Sequence, residues 1–398
     1  RPGQSGDVLG QCGSTGGVKP ACYGDVACVA NRIVQAVASG ASARMSISSF
    51  RTVPMTASST SYLTGPLAPV DPSDATWFPF DVDLTGNRMQ WLRCDEALIQ
   101  ASVFLDPRMP AEGRPQALTP LAPVADLPRS PNAPAWLWHT SFCGSTLLAR
   151  LLHLTPYSVA LREPLVLRRL GDAADAGLDV ALWLRPITEL LARPWHPDGH
   201  VIVKPTHAVL NIARPAMAAH PESRGIVLTS GLEDFVVSHL KKTSDTLANV
   251  PVLAARALRA GTLAQRLSPE ALNPPSVLAA AALQWAAQRD VVAALREEVG
   301  ERVRLLDWTI IRHDIEEAAV ATSTFLQLPL PDEALRTQTR RLAATHSKAS
   351  TRPYDIRVRD QEHRLLRTTY AQEVSQALHW AERHVLPALP AQALSIGF

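Results

Sequence analysis

The chain has 398 residues, 46% hydrophobic and 19% charged, so it can bury a core and is not a disordered polymer. Its 39 basic and 37 acidic residues leave a formal charge of +2, which gives no electrostatic case for a partner of nucleic acid or membrane surface. No apolar run reaches the ~18–20 residues of a membrane helix; the longest, around Val277–Ala287, ends in Gln288-Arg289-Asp290. In chain order, Arg1–Gly17 is Gly-rich and polar and lacks the apolar segment of a signal peptide. Residues 1–54 read as a flexible leader or upstream read-through, because the first methionines are Met45 and Met55. Residues 55–134 read as an irregular, proline-studded extension with one helix near Asp95–Leu105, packing on the main domain. The proline-rich stretch Leu118–Pro134 marks a boundary.

From Ala135 the pattern becomes alternating strand and helix. Strands are expected at Ala135–His139, Val159–Leu161, Val201–Lys204, Gly225–Thr229 and Arg302–Asp307. Helices are expected at Ser145–Leu154, Asp234–Lys242, Val252–Arg266 and Val277–Val299. Short apolar strands between helices indicate an α/β domain over 135–398: a doubly wound, mostly parallel sheet with helices on both faces.

Ligands in such a sheet bind beyond the carboxyl ends of the strands. The first such loop is Trp138-His139-Thr140-Ser141-Phe142-Cys143-Gly144-Ser145-Thr146-Leu147-Leu148-Ala149-Arg150. Gly144 permits close backbone approach, a helix start favours an anion, and Ser145 and Thr146 add hydroxyls, which outlines a phosphate cradle. It lacks the Gly-Lys-[Ser/Thr] of a Walker A loop, which argues against ordinary ATP or GTP hydrolysis. A capped strand–helix turn is the plainer account of the same residues.

Here the chain resembles the sulfotransferase family, whose donor-binding loop runs strand, Pro-Lys-Ser-Gly-Thr-Thr, helix. The loop is closest to the bacterial branch written His-Thr-Ser-Phe-Cys-x-Ser-Thr-Leu-Leu-Ala-Arg, followed by Arg-Glu-Pro, here Arg162-Glu163-Pro164. The family's strand ending in Lys-Thr-His is similar to Val203-Lys204-Pro205-Thr206-His207, with one residue inserted. Its Arg-x-x-x-Asp-x-x-x-Ser helix is similar to Ser230 through Asp234 to Ser238, with Ser230 at the Arg position. Gln284-Trp285, Val303–Asp307, Phe325–Pro329 and His346-Ser347-Lys348 follow in the family's order. The likeness runs from Ala135 to about Tyr370.

The resemblance implies sulfuryl transfer from the co-substrate 3′-phosphoadenosine 5′-phosphosulfate to a hydroxyl or amine of a small molecule or glycan, with no metal. Cys143, Gly144, Ser145 and Thr146 would form the donor cradle, Ser238 and Lys348 would hold the 3′-phosphate, and His207 would be the base. The family's cation in the first loop is replaced by Phe142 and its 3′-phosphate Arg by Ser230. Lys204 is the expected replacement for the first, and Lys348, Lys241 or Arg357 for the second. Lys204→Ala is therefore expected to abolish transfer and leave the fold intact. Two other readings remain: a P-loop kinase or other nucleotide-dependent transferase, and a catalytically silent nucleotide-binding relative, which the two lost cations favour. Taken without the resemblance, Ser238 is a packing serine, His207 a loop histidine, and Arg162-Glu163 a structural pair.

Other chemistries fit less well. Pro197 and Gly199 between His196 and His200 prevent the helix that would aim both at one metal. Cys143 at a helix start is a conceivable nucleophile, but its size also suits loop packing. The five cysteines (Cys12, Cys22, Cys28, Cys94, Cys143) include no CxxC pair and support neither a disulfide framework nor a zinc site, which fits a reducing cytoplasm. The acceptor and the oligomeric state are not encoded in any motif.

Overall fold

The structure, a computed structural model, describes residues 65–127, 133–343, 345–346, 349–353 and 356–394. The expected leader over 1–54, with Cys12, Cys22 and Cys28, lies outside the described residues, as does Lys348.

The extension is more regular than its prolines suggest. Trp77–Asp83 (β1), Arg88–Arg93 (β2) and Gln116–Pro120 (β3) form an antiparallel sheet in the order β1-β2-β3. Pro79 is tolerated because β1 is an edge strand whose register shifts between Pro79 and Asp81, where a missing N–H costs no ladder bond. The β1–β2 turn closes on Asp83, whose carboxylate accepts from Gly86 N at 2.7 Å. The expected helix appears as Glu96–Ala101 (α1), capped by Asp95, which accepts from Leu98 N.

The main sheet contains Ala135–His139 (β4), Ser158–Arg162 (β5), His200–Lys204 (β6), Gly225–Thr229 (β7) and Val303–Asp307 (β8). Its order is β5-β6-β4-β7-β8 and every pairing is parallel, with β4 central. The helices are Ser145–Leu151 (α2), Leu165–Asp175 (α3), Ala181–Leu191 (α4), Ala213–Ala219 (α5), Leu232–His239 (α6), Ser244–Ala248 (α7), Val250–Ala260 (α8) and Val277–Val299 (α9). Trp308–His313 (α10), Ile315–Phe325 (α11) and Asp332–Ala343 (α12) come next in the chain. A short antiparallel pair, Thr345–His346 (β9) and Ala349–Pro353 (β10), then precedes Ile356–Thr369 (α13), Ala371–His384 (α14) and Ala391–Leu394 (α15).

Alternate side chains of each strand go to opposite faces, and both faces are covered. Trp136, Trp138, Leu161 and Val203 join Phe78, Phe80 and Trp91 of the small sheet in one cluster. Leu137, Ala160, Ile202 and Leu228 pack with Leu148, Leu151 and Phe325 in another. Burial on both faces explains why these strands read as continuous apolar runs. The α/β fold expected from the sequence is the one observed.

One expected helix divides. Instead of running from Val252 to Arg266, α8 stops at Ala260, and Leu263–Arg266 makes a separate 3-10 turn. The cause is Asp290 of α9, which accepts from Thr262 N (2.7 Å) and Leu263 N (2.8 Å) and leaves no room for a side chain at Gly261. No helix among the described residues is long and apolar enough to cross a membrane.

Candidate functional site

The loop after β4 is held at both ends. Thr140 N donates to Leu228 O of β7 at 3.0 Å, and the Cys143 thiol donates to Thr140 O at 3.1 Å. Burial pushes the Cys143 thiol up to about 11, so it stays protonated and packs the loop instead of attacking anything. Phe142 and Gly144 both adopt left-handed backbone, φ 62° and 76°. Gly144 is required twice over, because a Cβ there would also lie 2.2 Å from Trp308 Cζ3. Directly after it, α2 begins without a side-chain cap, so its first N–H groups are available to an anion, and Ser145 and Thr146 are buried beside them.

Phe142 stands where the resemblance led one to expect a cation. Its ring packs edge-on against Phe235 (5.5 Å) and His239 (4.8 Å) of α6, with Lys242 Nζ 4.8 Å from its centroid. A guanidinium arrives from far along the chain. Arg359 of α13 lies 4.2 Å over the Trp308 ring, with Nη2 3.5 Å from Phe142 O. Several neighbours on α13 form ion pairs: Asp360 with Arg312 (3.1 Å), Glu362 with Lys241 (2.5 Å) and Arg367 with Glu233, and His363 Nε2 lies 3.5 Å from Asp234. Among the described residues Arg359 has no carboxylate partner. The sequence offered no signal for it, since it lies 217 residues from Phe142.

Lys204 stands differently from its expected role. It is fully buried at the end of β6, donating to Glu163 Oε1 at 2.7 Å, with His139 close by. Burial alone would raise the Glu163 carboxyl, but the Lys204 ammonium outweighs it and holds the group at about 2. Burial, reinforced by Lys204, drives His139 well below the usual imidazole range. Its Nδ1 lies 2.6 Å from Thr140 O, and its Nε2 lies 2.9 Å from Pro205 O and 3.0 Å from Lys204 Nζ. Glu163 itself has φ 54°, fixed by its N–H donating to Lys204 O at 2.6 Å. The expected Arg162–Glu163 pair does not form. Arg162 caps the carboxyl end of α1 through Ile99 O (2.6 Å) and Gln100 O (3.1 Å), and Glu163 turns to Lys204.

His207 opens the 3-10 turn His207–Ile212, its ring 6.0 Å from that of His139. Burial pushes it down to about 4, so the ring is neutral near pH 7. Gln288 Nε2 lies 3.2 Å from its Nδ1. With the amide donating, the ring proton is on Nε2 and the Nδ1 lone pair is taken up by Gln288, an assignment made from the hydrogen-bond network.

Ser230 is buried at the end of β7, and its carbonyl accepts from Trp285 Nε1 at 2.8 Å. Ser238 is buried in the last turn of α6, next to His239, which touches Phe142. Thus the folding of β4, β6 and β7 side by side brings the 143–146 loop, Lys204–His207 and Ser230 to one edge of the sheet. The side chain of Arg357 lies outside the described residues, like Lys348. His196 donates to Glu96 Oε2 at 2.6 Å, away from His200, and among the described residues no three His, Cys, Asp or Glu side chains converge to hold a metal. Sequence reasoning missed Trp308, Arg359 and Gln288. Only Trp308 had a signal, as the residue directly after a strand end.

No family model matches the chain, and no curated protein does. Among solved structures, a sulfotransferase from Mycobacterium tuberculosis H37Rv is similar at 14% identity and a TM-score of 0.32, over 55% of this chain and 73% of that one. A likeness so slight supports no argument about function.

Proposed function

We propose that the chain is a sulfotransferase-like enzyme, moving a sulfuryl group from 3′-phosphoadenosine 5′-phosphosulfate to a hydroxyl or amine acceptor. The observation that carries this is the loop Thr140–Thr146: two left-handed residues, a glycine pressed on Trp308, and an uncapped helix start at the carboxyl end of the central strand. Backbone N–H groups at a tight turn leading into a helix start, with the Ser145 and Thr146 hydroxyls beside them, are donors of the kind a phosphate-bearing ligand needs. The bound donor would bring the transferable sulfuryl group.

Gly144, Ser145 and Thr146, with the buried Cys143 shaping the turn, would hold its 5′-anion through N–H and hydroxyl groups. Arg359 is the cation best placed to offset charge at the loop where Phe142 supplies none. Lys204 acts one step back, fixing Glu163 and His139 and keeping the floor of the site rigid. Ser238 and Lys348 remain the residues assigned to the 3′-phosphate. His207, neutral near pH 7, is the residue assigned to take the acceptor's proton.

Titration with 3′-phosphoadenosine 5′-phosphate by calorimetry, beside ATP and AMP, tests the reading. Tight, Mg²⁺-independent binding that needs the 3′-phosphate is expected. Preference for ATP with Mg²⁺ would select a kinase-like transferase instead. Nucleotide binding without turnover would select a silent relative, a reading favoured by the burial of Lys204 against Glu163.

A further inference from the structure

The extension carries an open cleft that the site described above does not use. The segment 101–110 leaves α1, and its Leu105 is tied to both sides of Glu163: Leu105 N donates to Arg162 O at 2.8 Å, and Leu105 O accepts from Leu165 N at 2.9 Å. The segment therefore runs against the carboxyl end of β5, where Glu163 meets Lys204 of β6, the strand next to β4 and its loop. Ala101, Ser102, Val103, Phe104, Arg108 and Pro110 line a cleft of about 330 Å³, room for a small ring compound. All of them precede Ala135, where the likeness to the family begins, so the cleft is a feature of the extension.

The chemistry of the lining selects the ligand. The Arg108 guanidinium lies over the Phe104 ring, 4.2 Å from its centroid. Asp106 accepts from Arg108 Nε at 2.9 Å and from Nη2, so the positive charge is already matched. Asp106, and behind it Glu163, raise the Arg108 pKa and keep it charged. An anionic ligand would thus meet carboxylates, and a cationic one the guanidinium. Ser102 is spent, its Oγ donating to Leu98 O at 2.7 Å and its carbonyl accepting from Arg162. What remains is apolar surface with a guanidinium and a phenyl ring, both of which line the cleft and both of which stack on π-systems; a saturated ring of equal size gains only the apolar contact. Resting on the transferase reading above, we propose that this cleft recognises an uncharged aromatic ring of the acceptor, remote from the group that reacts.

The test compares benzamide with cyclohexanecarboxamide, neutral probes that share the amide and differ only in the ring, by saturation-transfer NMR on the full chain. Benzamide is expected to bind about three- to fivefold tighter. Arg108→Met, at a side chain 64% exposed, should fold as the parent does and bring that ratio to about one. Ala101→Trp, at the exposed end of α1, should fill the cleft and abolish the benzamide response. Equal affinity for the two probes, a ratio that survives Arg108→Met, or a benzamide response that survives Ala101→Trp would overturn the ring site. Binding of 3′-phosphoadenosine 5′-phosphate measured on the same sample separates the two ideas. Nucleotide binding without a preference for benzamide sinks the ring site alone, and that preference without nucleotide binding establishes the ring site and sinks the transferase reading.

Discussion

Replacing Lys204 is expected to unfold the protein as much as inactivate it, contrary to the sequence-based expectation of an intact fold. The ammonium is fully buried and is the cation 2.7 Å from the Glu163 carboxylate. Lys204→Met therefore strands the Glu163 carboxylate, only 18% exposed, without its cation and removes the group 3.0 Å from His139 Nε2. Breaking one side of a buried pair costs about 3–5 kcal/mol, a third or more of the ~5–15 kcal/mol that holds a typical domain together. Removing both charges should be far milder, because two neutral side chains leave no bare ion. Lys204→Met with Glu163→Gln is expected to recover about 2–3 kcal/mol relative to Lys204→Met alone. Urea unfolding followed by tryptophan fluorescence would read this, since Trp136 and Trp138 are buried on the neighbouring strand. If Lys204→Met unfolds within about 1 kcal/mol of the parent, or the double variant is no more stable than the single, the pair is not the buried keystone argued for.

Three further outcomes are expected from the same geometry. Gly144→Ala should destabilise by about 2–4 kcal/mol, from left-handed strain and the Trp308 contact, and Trp308→Leu in the same chain should relieve only the second part; purely additive urea midpoints would refute the contact. Arg359→Gln should weaken 3′-phosphoadenosine 5′-phosphate binding by about 10-fold or more in calorimetry, with the unfolding midpoint unchanged; equal affinity would remove Arg359 from the site. His139 and the pair His207 and His239, the latter two at about 4, are held below their unfolded values, so the unfolded chain binds more protons and stability should fall as pH drops below about 6.5. Glu96 and Glu163, both at about 2, should extend the loss from about pH 4.5 downward; an unfolding midpoint that is flat between pH 7 and 5 would contradict the buried neutral histidines.

The sequence by itself determined the main sheet and where its loops would carry chemistry. Strands buried on both faces show as unbroken apolar runs, so Ala135–His139, Gly225–Thr229 and the long helix Val277–Val299 were legible to the residue. The small-residue turn after β4 was legible too, because left-handed backbone and close packing call for glycine at 144. Tertiary structure alone decided the rest, since each remaining choice depends on groups distant in sequence. Pro79 disguised an edge strand until its register shift was seen, and Gly261 ended a helix only because Asp290 of another helix caps the next turn. Whether Lys204 met solvent, a donor or Glu163 could not be read from its strand, because burial and partner are set by how β4, β5 and β6 lie side by side. Arg359 reaches the loop for the same reason: charge pairs between α13 and residues of α10, α6 and the segment after it fix that helix beside the loop, and no local pattern in the chain encodes a contact across 217 residues.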